Sequence, residues 1–199
     1  MDQEIENIQI KSEVQDEILL AALKLFVEKG YFNTSLIDIK EAVGLKNAGT
    51  IYQHFKTKQM IAVQLHANIL DSLSISIDDI RRKNEKPSEQ LRAIVDLLFK
   101  LTDDAPDVMR FLLILNVKEF FPEAKPLHET AAIIKIIRII EAGIKAGEIR
   151  NTTPQLGYAH FFGVIDNTLR LALTGFLDRK ADSYQSQTWL TAWNTIVKK

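Results

Sequence analysis

The sequence predicts an all-α protein of about nine helices, a three-helix N-terminal helix-turn-helix bundle followed by a larger C-terminal helical bundle. Three observations carry that reading. Apolar residues recur three, four and seven positions apart along most of the chain, the period of a helix with one buried face. Alternating apolar and polar runs, the mark of strands, are scarce. Gly30, Gly44 and Gly147, with Pro87, Pro106 and Pro154, stand at the ends of the periodic segments, where glycine stops helices and proline starts them.

The elements follow in order. Val14, Ile18, Ala21, Ala22, Leu25 and Phe26 form one apolar stripe, and Gly30 closes that helix with Lys29 in its last turn. A second helix of about three turns is capped by Thr34 or Ser35, with Ser35 and Asp38 at capping-box spacing. Leu36, Ile39 and Val43 are its inner face and Gly44 its stop. A third short helix is expected over residues 48–55, with Asn47 as a candidate cap. Thr57 then caps a long connecting helix through Ile61, Leu65, Ile69, Leu73 and Ile80, reaching about Arg82. After a polar break, Pro87 opens a helix through Leu101, and Asp104 and Pro106 start another. Pro122 and Pro126 bracket a loop. An isoleucine-rich helix from about Ile133 to Gly147 is apolar on most sides and is expected to lie centrally. Thr153 and Pro154 open a helix to about Leu177, and a last one runs from about Tyr184 to Val197. The domains are placed at 1–57 and 58–199.

Composition narrows the function classes. The apolar fraction of 46% over 199 residues supplies a globular core. With no cysteine, disulfides, thiolate catalysis and cysteine-ligated zinc are excluded. No apolar run reaches the roughly 18 residues that a membrane-spanning helix needs, and residues 1–11 are charged where a signal peptide carries its apolar segment, so a cytoplasmic location without a membrane partner is expected. A net charge of -1 provides no global footprint for nucleic acid, so any DNA-binding surface is local. Residues 40–58 offer one: Lys40, Lys46, Lys56 and Lys58 are opposed by Glu41 alone. His66, His128 and His160 lack the spacing of a metal pair, and no nucleophile elbow, glycine-rich phosphate loop or HExxH motif is present. Neither a metal, a cofactor nor an enzyme activity is expected.

Two short helices separated by a turn at Gly44, with a third packed behind, meet the requirement of a helix-turn-helix. The identities are more specific than the spacing. Leu25-Phe26, Glu28-Lys29-Gly30-Tyr31, Thr34-Ser35, Asp38-Ile39, Ala42-Val43-Gly44-Leu45, Thr50-Ile51-Tyr52, His54-Phe55 and Lys58 occur in the order of the TetR family of transcriptional regulators, which residues 14–62 resemble. Leu25, Phe26, Ile39, Val43, Ile51 and Phe55 are then packing residues. The resemblance implies that residues 47–54 enter the major groove, with Lys46, Asn47 and Thr50 toward base edges. It implies phosphate contacts from Tyr52, His54 and Lys58, joined by a hydroxyl or N–H of Thr34 and Ser35. The spacing from Gly44 to Tyr52 is one residue longer than usual, which shifts the side chains that reach bases. Lys40 stands where the family usually has alanine and adds a further candidate phosphate contact.

For the C-terminal bundle the resemblance implies dimerisation, with Ile165, Leu169, Leu173, Trp189, Trp193 and Ile196 on the two helices that meet a second copy, so that two readers address a palindromic double-stranded operator with half-sites about 34 Å or a multiple apart. It also implies a cavity for a small apolar or amphipathic effector. Candidate lining residues are Phe99, Met109, Phe111, Leu112, Ile137, Phe162 and Asp166, and the helix after Thr57 is the candidate lever. Repressor action follows from the family habit. A helical ligand-binding or interaction protein without DNA binding is the alternative, and steep salt dependence distinguishes the two.

Overall fold

The computed structural model describes residues 2–47 and 49–199, with side chains from residue 13 onward. Among these residues it contains nine α-helices: α1 (Asp2–Lys29), α2 (Leu36–Val43), α3 (Gly49–His54), α4 (Lys58–Lys83), α5 (Pro87–Asp104), α6 (Pro106–Leu113), α7 (Ala131–Ala146), α8 (Pro154–Leu173) and α9 (Asp182–Asn194). Single 3-10 turns occupy Val117–Glu119 and Leu127–Glu129. The only extended pairing among the described residues is an isolated antiparallel bridge between Ile149 and Val197. The all-α prediction therefore holds.

The chain divides into two compact units, Met1–Asn68 with Leu115–Ala124, and Ile69–Ile114 with Lys125–Lys199. Helix α4 contributes to both. By length and composition it is apolar enough to cross a membrane, where the sequence reading found no such stretch. A core helix meets the same test, and Ile61, Ala62, Leu65 and Ile77 of α4 are buried.

In the N-terminal unit, α1 packs on α2 around Ile18, Ala22, Phe26, Ile39, Ile51 and Phe55, all buried. Val43, expected in that core, is half-buried. Gly30 and Gly44 have φ of 86° and 77°, the left-handed conformation that stops a helix and that glycine adopts without a Cβ clash. Thr57 caps α4 as expected, its Oγ1 accepting from the Met60 N–H at 3.2 Å.

In the C-terminal unit, α5 packs on α6, α7, α8 and α9, and α8 packs on α6, α7 and α9. Leu91, Ile94, Val95, Phe99, Ile140, Phe161 and Ile165 are at its centre. Helix α7 buries Ile133, Ile136, Ile139 and Ile140 but leaves Ile134, Arg138 and Lys145 exposed, so it is covered on one broad side rather than enclosed. Helix α8 ends at Leu173, short of the predicted Leu177, because Gly175 turns left-handed there with φ 76°. After α9 the chain pairs with the turn following α7: the Arg150 N–H donates to the Ile196 carbonyl at 2.9 Å and the Lys198 N–H to the Glu148 carbonyl at 3.0 Å. Two ends distant in sequence are thereby closed. Helices α6 and α8 cap one another: the Arg170 guanidinium donates to the Leu113 carbonyl at the end of α6, and Arg110 Nε to the Leu173 carbonyl at the end of α8 at 3.4 Å.

Candidate nucleic-acid interface

The second helix is fixed by its own first turn. Asp38 N–H donates to Ser35 Oγ at 3.1 Å and Ser35 N–H to Asp38 Oδ2 at 2.7 Å, the reciprocal capping box that the spacing predicts. Lys29 Nζ lies 3.1 Å from the other Asp38 oxygen and joins the end of α1 to the start of α2. Hydrogen bonds from the Ser35 hydroxyl and N–H, then from Lys29, hold the Asp38 carboxyl far below the usual carboxylate range.

The turn into α3 is closed by Gly44 and Leu45, whose N–H groups donate to the Glu41 and Lys40 carbonyls at 3.1 and 3.0 Å. Asn47 then organises the start of α3: its Oδ1 accepts from the Gly49 N–H at 2.8 Å and its carbonyl from the Thr50 N–H at 3.2 Å. Ala48, expected inside that helix, lies outside the described residues. Ile51 and Phe55 anchor the helix inward. Tyr52 is 56% exposed, and Lys46, Asn47, Gln53 and Lys56 are exposed with it, while Thr50 and His54 are half-buried. A short rigid helix with one side in the core and a polar, aromatic and cationic side outside is what major-groove reading requires.

Thr34 and Lys58 depart from the expectation. Thr34 is 1% exposed and its hydroxyl donates inward to the Leu25 and Gly30 carbonyls at 3.2 and 2.9 Å, so it holds the end of α1 and does not offer that hydroxyl to phosphate. Lys58 Nζ donates to the Tyr31 and Thr34 carbonyls, both at 2.6 Å, and lies 4.2 Å from the Tyr31 ring centroid. Burial lowers its pKa against a smaller upward pull from Asp38. Two of its three donors are thereby used on the loop between α1 and α2.

Two features went unnoticed in the sequence. Gln53 shares the exposed side of α3; its adjacency to Tyr52, opposite Ile51 and Phe55, was the available signal. The segment Leu115–Ala124 joins the N-terminal unit, where Phe120 stacks on Tyr31 at 4.5 Å between centroids and its carbonyl accepts from Gln59 Nε2 at 2.8 Å. The aromatic pair Phe120-Phe121 before Pro122 hinted at packing but not at its target.

The C-terminal unit holds a cavity of about 360 Å³. Met109, Leu112, Phe162 and Asp166, four of the candidate residues, are on its wall. Phe99, Phe111 and Ile137 are not: Phe99 and Phe111 are fully buried and Ile137 packs against the core. Leu73, Ile94, Leu98, Ile133 and Ile136 extend the apolar wall, with Tyr158, Arg170 and His128 as further polar groups. The expected dimer residues also need correction. Ile165, Leu169, Leu173 and Ile196 are buried inside one chain, because they fill the seam of α8 and α9 with their own unit. Trp189 and Trp193 are half-buried and stack on each other at 5.4 Å, and Trp189 meets the edge of Phe161.

Comparison with known proteins places this geometry. Residues 18–65 match the family model described as bacterial regulatory proteins, tetR family. Over 110 residues the chain is 30% identical to the biofilm operon icaADBC HTH-type negative transcriptional regulator IcaR of Staphylococcus aureus, a match spanning 54% of this chain and 57% of that relative. Among solved structures, FadR of Bacillus subtilis in complex with stearoyl-CoA superposes with a TM-score of 0.76 at 19% identity, covering 90% of this chain and 98% of FadR. A TetR family transcription regulator of Marinobacter aquaeolei superposes with a TM-score of 0.74 at 18% identity over the full length of both chains. At such identities the likeness establishes the fold.

Proposed function

We propose that the chain, whose residues 18–65 match the tetR family of bacterial regulatory proteins, is a cytoplasmic transcriptional repressor of that family that binds a palindromic operator as a homodimer and is released by a small effector. The observation that carries this reading is the exposed array of Lys46, Asn47, Tyr52 and Gln53 on and before a helix locked by Ile51 and Phe55. With a net charge of -1, affinity rests on that local patch and on its duplication in a dimer. Repression is supported by IcaR, a negative regulator.

The second copy is met through the outward sides of α8 and α9, where Leu156, Gly163 and Leu190 are exposed, since Ile165 and Leu169 are already used inside. The effector enters the cavity of the C-terminal unit. FadR, solved with stearoyl-CoA, supports a ligand with a long hydrocarbon chain. Helix α4, which contributes to both units, is the element through which occupancy changes the spacing of two readers. A ligand acts there only by its difference in affinity between the two states.

Selection of bound sequences from random duplex DNA by the full chain tests the proposal. An enriched inverted repeat is the expected result. No enrichment by folded, dimeric protein overturns it in favour of a ligand-binding protein without DNA function.

A further inference from the structure

The cavity of the C-terminal unit shows which effectors it accepts, an inference that rests on the effector reading above. Tyr158, Phe162, Asp166 and Arg170 follow one another at intervals of four on α8, and all line the cavity. They therefore form one stripe of that helix. Opposite them the walls are mainly aliphatic, from Leu73, Ile94, Leu98, Met109 and Ile133, with His128, which lies beside Glu129, also on the lining.

The two charges on the stripe are already matched. Arg170 Nε donates to Asp166 Oδ2 at 2.7 Å, and the same guanidinium donates to the Leu113 carbonyl. A ligand carboxylate would have to displace one of those acceptors and then lie beside the Asp166 charge. A ligand ammonium would find Asp166 occupied and a guanidinium beside it. Either ion would give up part of its hydration on entering the apolar cavity, and at the part-exposed Asp166–Arg170 pair it gains no unmatched counter-charge in return.

Tyr158 is different. Its ring stacks on Phe162 at 5.0 Å, and among the described residues no group hydrogen-bonds its hydroxyl. Burial, and secondarily the negative charge of Asp166, push its pKa up to about 12, so the phenol is a neutral donor at physiological pH. A half-buried donor of this kind, facing the cavity, is completed by an acceptor that carries no charge of its own.

We propose that the cavity takes an uncharged, mainly hydrocarbon molecule bearing a carbonyl group that accepts from Tyr158, and discriminates against the corresponding carboxylate and ammonium compounds. Hydrocarbon fills the aliphatic wall, and the carbonyl sits against the Tyr158 end of the α8 stripe. Asp166 is the selectivity residue: it neutralises Arg170 and repels anions.

Calorimetric titration of the full chain with methyl decanoate, decanoate and decylammonium, each below its aggregation threshold, tests this. The ester is expected to bind about tenfold or more tightly than either ion. Tyr158→Phe weakens the ester about fivefold. Asp166→Asn frees Arg170 and inverts the order, so that decanoate binds the variant more tightly than the ester does. Circular dichroism confirms that each variant is folded. Decanoate equal to or tighter than the ester on the parent chain overturns the head-group inference while leaving the effector cavity in place. Binding of none of the three compounds overturns both.

Discussion

The Lys58 ammonium sits 4.2 Å from the centroid of the Tyr31 ring and donates to the Tyr31 carbonyl at 2.6 Å. A lysine at the first position of α4 therefore closes the loop that positions α2. Reading such a residue as a phosphate contact is natural from its charge, but its donors are directed into the fold.

Replacing Lys58 by methionine keeps the stem and removes three roles: two charge-assisted hydrogen bonds and the cation over the ring. The variant is expected to lose roughly 2 kcal/mol of stability, read as a lower denaturation midpoint with an unchanged slope against denaturant. Any loss of DNA affinity at a temperature where the variant is fully folded should be small.

Asp38 makes the N-terminal unit sensitive to acid. Its pKa is lower in the folded chain than in the unfolded one, so its contribution is complete above the unfolded carboxylate value of about 3.9 and is lost as pH falls below it. Stability measured from pH 6 down to pH 2 should show that loss beginning near pH 4 in the parent and growing as pH falls further. Asp38→Asn should be less stable at pH 6 and should show a smaller further decline. An identical acid profile in both proteins contradicts the capping-box account.

Thr34→Val leaves the Leu25 and Gly30 carbonyls without their hydroxyl donor in a position that is 1% exposed. A cost of about 1 to 2 kcal/mol is expected in thermal denaturation, with Thr34→Ser retaining most of the parent stability. A neutral Thr34→Val would mean that water replaces the hydroxyl.

The proposed dimer face separates from the core by mutation. Leu190→Glu, at a position 59% exposed, should leave the fold intact and shift the protein to monomer in sedimentation. Leu169→Ala instead creates a cavity inside one chain and should cost about 2 to 5 kcal/mol of stability without selectively breaking the dimer. Dimeric Leu190→Glu protein would exclude this face.

Much of this was legible in the sequence because the signals are local. Ser35 and Asp38, Gly44, Thr57, Thr153 with Pro154, and Gly147 each act within one turn of themselves, and each was placed by spacing alone. The direction of a side chain in a packed bundle is not local. Ile165 and Leu169 have the right period for an interface, but period gives only a stripe, and that stripe faces their own core. Thr34 and Lys58 have the chemistry of phosphate ligands, yet the carbonyls they meet belong to a loop whose path the sequence does not display. The Tyr31–Phe120 stack joins residues 89 positions apart in the chain, a pairing that no helical periodicity encodes.

The central claim is that DNA is held by the exposed side of residues 46–54 and not by Lys58. The slope of binding constant against salt concentration, measured on the selected duplex, tests it most directly. Lys46→Ala should reduce the magnitude of that slope, because each protomer of the dimer loses one cation held against the DNA, whereas folded Lys58→Met should keep the parent slope. A parent slope near zero, or a slope reduced by Lys58→Met and not by Lys46→Ala, would contradict the account.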